Sequence, residues 1–176
     1  RNSKKTIRHT LTTDELPSVS IITSTYNRKR IFPLAIYNYN TLNYPRDKLE
    51  WIIIDDSEKE QCVEDQLPSE NNREKYNIKY VSLQERKTIA EKRHIGVQMA
   101  TNDFVLLMDD DDYFYPDMLT NRMNEFSNIK RDHDYKQVMG FTILGCFDIE
   151  RYVSWINVSN GTDRLSDRVA VSSLLF

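Results

Sequence analysis

Four short apolar runs punctuate an otherwise polar chain, and each stops at polar residues: VSIIT (19–23), WIII (51–54), IKYVS (78–82) and FVLLM (104–108). The last runs from Phe104 through Met108 with no alternation, which suits a strand covered on both faces, as in parallel α/β sheets. Helical spacing predicts helices over residues 31–42, 88–100 and 116–128, with Pro33 tolerated in the first turn of the first. The helix over 88–100 carries Ile89, Arg93, Gly96, Val97 and Ala100 along the face expected to pack. The helix over 116–128 carries Met118, Leu119, Arg122, Met123 and Phe126. Residues 58–76 are polar, contain Pro68, and predict one short helix and a loop. The order is β-α-β-α-β-α-β-α, opening with a βαβ unit.

Beyond Tyr135 the pattern changes to closely spaced strands in QVMGFTILG, FDIERYVSWINV and RVAVSSLLF. The expected fold is therefore an α/β mixed sheet in one domain over residues 18–176. A parallel nucleotide-binding half (18–128) is followed by the start of a partly antiparallel half (129–176). Residues 1–17 are polar and aperiodic and read as a surface arm. A start at Arg1 and a stop in the apolar VAVSSLLF read as a fragment of a longer polypeptide with other domains.

At 176 residues, 39% hydrophobic and 29% charged, the chain can bury one sizeable core. A formal charge of -3 argues against a nucleic-acid partner held by general electrostatics. Cys62 and Cys146 lie far apart and read as buried free thiols, which points to a reducing compartment and a cytoplasmic placement. No run reaches the roughly 18 apolar residues of a membrane span. His9, His94 and His133 are scattered, so a zinc site is not expected.

Candidate chemistry centres on Asp109, Asp110, Asp111 and Asp112, placed directly after the apolar strand. Four adjacent carboxylates repel one another unless a cation or a hydrogen-bond network compensates, and hard oxygens select Mg, Mn or Ca. A solvated acidic turn is the competing reading. An EF-hand is excluded, because the central glycine and terminal glutamate are missing.

Two further strands also end in polar clusters, Ser24, Thr25, Tyr26 and Asn27 after the first and Asp55 and Asp56 after the second. Parallel strands would gather all three clusters into one crevice suited to a nucleotide whose diphosphate reaches a metal. For Asp55 and Asp56 a turn or helix cap competes evenly with that role. Arg86, Lys87, Lys92, Arg93 and His94 form a basic patch opposite. Lys92 reads as part of a solvated helix face, and Arg93, beside Gly96, as functional. No GxGxxG or GxxxxGKS loop is present to cradle phosphate by backbone alone.

VSIITSTYN, EWIIIDDS and TIAEKRHIGVQMATNDFVLLMDDDDYF, in this register over residues 19–119, resemble the family 2 nucleotide-sugar glycosyltransferases of GT-A fold. The wording NYPRDKLEWIIIDDS and MDDDDYFYPDML resembles members carried by large DNA viruses, for which the compartment would be host cytoplasm. The resemblance implies that Ser24, Thr25 and Tyr26 line the base pocket with Asp55 beside them. It implies that Asp56 reads the nucleobase edge and that Arg93 lies near the nucleotide, with His94 replacing the family's usual asparagine. Asp109 and Asp111 would take the two DxD positions as metal ligands for Mn2+ or Mg2+, with Asp109 and Asp110 against the ribose or diphosphate.

The implied activity is inverting transfer of a sugar from a nucleotide-sugar donor, UDP-sugar first among them, to a hydroxyl of a glycan or protein acceptor. The family's base carboxylate follows the strand resembling VAVSSLLF, which places it beyond Phe176. The alternative is a nucleotide- and metal-binding fragment without catalysis. A nucleotidyltransferase is disfavoured by the lack of a glycine-rich loop after the first strand.

Overall fold

The computed structural model describes residues 9–128, 143–148 and 153–158, with side chains over 9–128. Strands β1 (Val19–Thr25), β2 (Leu49–Asp55), β3 (Ile78–Ser82) and β4 (Phe104–Leu107) form one parallel sheet in the order β3-β2-β1-β4. Helices α1 (Pro33–Thr41), α2 (Glu70–Lys75), α3 (Ile89–Met99) and α4 (Met118–Asn128) alternate with the strands. Strands β5 (Ile143–Asp148) and β6 (Val153–Val158) form an antiparallel pair. The strand expected from RVAVSSLLF lies outside the described residues, as do residues 1–8 of the arm expected over 1–17; in its described part Leu16 is buried in the core and Leu11 packs against it.

Side chains at alternate positions enter two cores, one on each face of the sheet. Ile21, Trp51, Ile53, Leu106 and Met108 face α1 and α4, together with Phe32, Ala35, Tyr39, Leu119 and Met123. Ile22, Ile52, Ile54, Val105 and Leu107 face α3, where Ile95, Met99 and Ala100 pack. Full burial of each such side chain is worth about 1.5–3 kcal/mol, which is why continuous apolar runs become central strands. Trp51 stacks on Tyr39 with centroids 4.5 Å apart, and its indole N–H donates to Thr23 Oγ1 at 2.9 Å.

The expected α4 face is the observed one, since Met118, Leu119, Arg122, Met123 and Phe126 are all buried. On α3 the expected face is corrected. Ile89 and Val97 are 52% and 45% exposed, whereas Lys92 and Gly96 are buried. The stripe that meets the sheet is rotated toward Lys92, because Gly96 lets the helix approach β1 and Lys92 finds a carboxylate there.

Candidate active site

All four parallel strands point the same way, so the segments after β1, β2 and β4 meet at one edge of the sheet. Pairing of Thr25 with Asp55, and of Ile22 with Leu107, sets their levels. β1 lies between β2 and β4, where the chain's winding reverses direction, and open α/β sheets leave a crevice at such a point. A cavity of about 510 Å³ occupies it. Its walls are Ser24 and Thr25 at the end of β1 with Tyr26 and Arg28 beyond it, residues 86–88 before α3 with Ile89 and Lys92 on that helix, and Asp109, Asp110 and Asp111 after β4.

Local hydrogen bonds hold each wall. Asn27 adopts φ 51, a left-handed conformation that Asn tolerates better than most residues. Its N–H donates to Ser57 Oγ at 2.7 Å, and its side-chain oxygen accepts from Glu58 N–H at 3.0 Å. Thr88 and Glu91 form a capping box that starts α3 at the cavity rim. Asn38, buried on α1, donates to Asp112 O at 2.7 Å and accepts from Phe114 N–H at 3.0 Å, which fixes the loop after β4.

The charges are interlocked. Arg93 meets Asp109 at 2.7 Å, and Arg28 pairs with Asp111 and lies 3.4 Å from Asp110. Burial pushes the Asp110 carboxyl above its usual range; the Thr25 hydroxyl and then Arg28 oppose the rise, and Asp111 and Asp109 add to it. Its hydrogen bond to Asp111 raises Arg28. Burial also raises Asp56, but donation from Lys92 and Lys87 outweighs it and holds that carboxyl below the usual value. The guanidinium of Arg86 lies 3.1 Å from the centroid of the Tyr26 ring.

Of the residues expected at the site, Ser24, Thr25, Tyr26, Asp109, Asp110 and Asp111 line the cavity. Asp55, Asp56 and Arg93 do not. The Asp55 carboxylate is committed to the fold, accepting from Ser57 N–H, Val63 N–H and the Tyr80 hydroxyl at 2.8–2.9 Å. Asp56 sits behind Lys92, which corrects the reading of that lysine as solvated. Arg28 and Asn38 went unnoticed in the sequence: an arginine in a polar loop and an asparagine within a helix carry no distinguishing pattern there.

Among the described residues no group of three or more His, Cys, Asp or Glu is disposed to hold a metal ion. The donor set nonetheless fits a hard divalent cation that also draws oxygens from a ligand. Ser24 Oγ is buried at the cavity without a hydrogen-bond partner, Asp110 Oδ2 and Thr25 Oγ1 have at most each other, and three carboxylates stand within one turn. Such orphaned oxygens are uncommon in a finished site.

A parallel α/β sheet with a polar cavity at its switch point, acidic on one wall and basic on the other, is the arrangement in which open α/β folds take ligands. Residues 20–143 match the glycosyl transferase family 2 model, and the chain belongs to that family. Its sheet is of the Rossmann-like GT-A type. An uncharacterised glycosyltransferase of Haemophilus influenzae is 30% identical over 99 residues, 56% of this chain and 31% of that protein. Mannosyltransferase PcManGT from Pyrobaculum calidifontis, solved with GDP-Man and Mn2+, superposes with a TM-score of 0.53 at 26% identity, covering 64% of this chain and 33% of that one. TarS 1-349 of Staphylococcus aureus with UDP-GlcNAc shares the fold, with TM-score 0.53 at 24% identity over 60% of this chain and 30% of that one. The chain spans about a third or less of the curated relatives it matches.

Proposed function

We propose that this chain carries the donor site of a metal-dependent inverting glycosyltransferase that takes a nucleotide sugar, UDP-sugar first among them, and transfers the sugar to an acceptor hydroxyl. The carrying observation is the cavity itself, where the Tyr26 ring, the capped N-terminus of α3 with its basic residues, and Asp109, Asp110 and Asp111 face one another. The complexes of PcManGT with GDP-Man and Mn2+ and of TarS with UDP-GlcNAc support the reading.

In this proposal Ser24, Thr25 and Tyr26 face the nucleoside, and Tyr26 offers its ring to the base. Lys87, Arg86 and the α3 N-terminus face the diphosphate, where positive charge and free N–H groups favour an anion. Asp109 and Asp111, with Asp110 between them, would hold Mn2+ or Mg2+. The ion, when bound, neutralises charge on the departing diphosphate. Arg93 holds Asp109, and Asn38 holds the loop, so the carboxylates stay at the cavity when Arg28 yields Asp111. The acceptor oxygen attacks the anomeric carbon as its bond to the diphosphate breaks, with inversion. The base that takes the hydroxyl proton is assigned to no residue between 9 and 128.

Thermal-shift measurements with UDP, GDP, CDP and dTDP, each with Mn2+, with Mg2+ and with chelator, test the reading. Stabilisation by a diphosphate only with metal is expected. No shift with any pair would overturn it.

A further inference from the structure

Two stacked tyrosines lie outside the cavity, one of them two residues past its acidic wall. Tyr37 of α1 and Tyr113 of the loop after β4 are 50% and 63% exposed, with ring centroids 6.3 Å apart and planes 26° from parallel. Asp111 lines the cavity, and two residues of chain span at most about 7 Å, so Tyr113 stands beside the cavity mouth.

Both rings are carried on fixed backbone. The buried Asn38 side chain donates to Asp112 O and accepts from Phe114 N–H, which clamps Tyr113 on either side. Tyr37 is the neighbour of Asn38 on α1, and Phe114 is buried in the core. Rings held this firmly yet half or more exposed are a preformed contact surface, whose ordering cost is already met by the fold.

The surrounding charge selects the occupant. From Asp109 to Asp117 the chain carries five aspartates and no lysine or arginine, and α1 carries no charged side chain. The arginines that approach these segments are engaged, Arg28 by Asp111, Arg93 by Asp109, and Arg46 by the Asn40 carbonyl and the Tyr39 ring, while Arg122 is buried. A phosphate-rich partner, whether an anionic lipid surface or a nucleic acid, is repelled by such a loop. A neutral sugar fits it. The C–H groups on a sugar ring carry partial positive charge and meet the negative face of an aromatic ring, and the sugar hydroxyls donate to carboxylate and amide oxygens alongside.

We propose that Tyr37 and Tyr113 form the platform of an acceptor subsite, on which one neutral sugar ring of the acceptor stacks beside the acidic wall. The inference rests on the donor-site reading above and names the acceptor class as a neutral glycan rather than a bare protein or lipid hydroxyl.

An array of neutral and acidic glycans, probed with the full chain in UDP and Mg2+, tests this, followed by saturation-transfer NMR titration of the best-bound glycan. Neutral glycans are expected to bind. Tyr37→Ala and Tyr113→Ala should each weaken that binding at least about fivefold, the loss of one stacked ring. Tyr37→Phe and Tyr113→Phe keep the ring and should stay within about threefold of wild type. UDP affinity is the control, because neither ring lines the cavity. A wild type that binds UDP but no neutral glycan overturns the inference and leaves the donor-site reading standing. Glycan binding that both folded alanine variants retain also overturns it, as does binding of phosphatidylserine vesicles that both variants lose, which would assign the rings to a membrane. A wild type that binds neither UDP nor glycan overturns the donor-site reading as well.

Discussion

A β-carbon on Gly96 of α3 would lie 2.5 Å from Cγ2 of Ile22 on β1, so helix and strand meet at a distance only glycine allows. The branched Ile22 side chain is buried and stiff at χ1, and cannot swing clear. Alanine is the better helix former by about 1 kcal/mol, but overpacking a core costs about 1–3 kcal/mol. Gly96→Ala is therefore expected to lose up to about 2 kcal/mol net in urea unfolding. Equal or greater stability would show that α3 slides freely on the sheet.

What the sequence disclosed follows from the same physics. Val105 to Met108, Ile22 and Ile52 to Ile54 are buried, so their apolar runs were readable without any partner. The spacing in α4 was readable because one face is apolar. In α3 the buried stripe holds a lysine and a glycine, and Ile89 and Val97 look outward, so apolar spacing pointed to the wrong side. The aspartates after β4 were visible as a cluster, but which arginine neutralises which depends on a loop, and Arg28 lies about 80 residues away in sequence. Asp55 and Asp56 are adjacent in sequence yet turn to different partners, a split that no pattern encodes.

Glu50 offers a test at the other end of the sheet. It is buried and accepts from Ser20 Oγ at 2.5 Å and from Thr101 N–H at 3.0 Å, and it pairs with Lys79 at 2.5 Å. Burial raises its carboxyl, but Lys79, Ser20 and Thr101 together outweigh that and hold it below the usual 4.5. A depressed carboxyl stabilises the fold above its unfolded value and loses that contribution as pH falls through the folded value. Glu50→Gln should cost about 1–3 kcal/mol at pH 7, and the gap to wild type should narrow below pH 4.5. A gap independent of pH would assign the loss to shape alone.

The acidic wall makes a paired prediction. Arg28 and Asp111 are both about half exposed, and such pairs are worth about 1 kcal/mol or less. Arg28→Ala should tighten Mn2+ binding without nucleotide by no more than about fivefold, read by electron paramagnetic resonance. Asp111→Asn should remove the Mn2+-dependent part of nucleotide binding while the melting temperature holds. Mn2+ binding unchanged in both variants would place the ion elsewhere.

Tyr26 carries the last prediction. Its ring is covered on one face by the Arg86 guanidinium at 3.1 Å, too close for a base to enter between them. The guanidinium is held by little else, since its distance to Asp56 is 3.6 Å and its side chain is mostly exposed, so a base can displace it from that face at small cost. Stacking of a base on an aromatic ring is worth about 1–3 kcal/mol. Tyr26→Ala should therefore weaken nucleoside diphosphate binding at least about tenfold and leave pyrophosphate binding unchanged, whereas Tyr26→Phe should stay within about threefold of wild type. Equal weakening of nucleotide and pyrophosphate by Tyr26→Ala would mean that the ring shapes the loop rather than receiving the base.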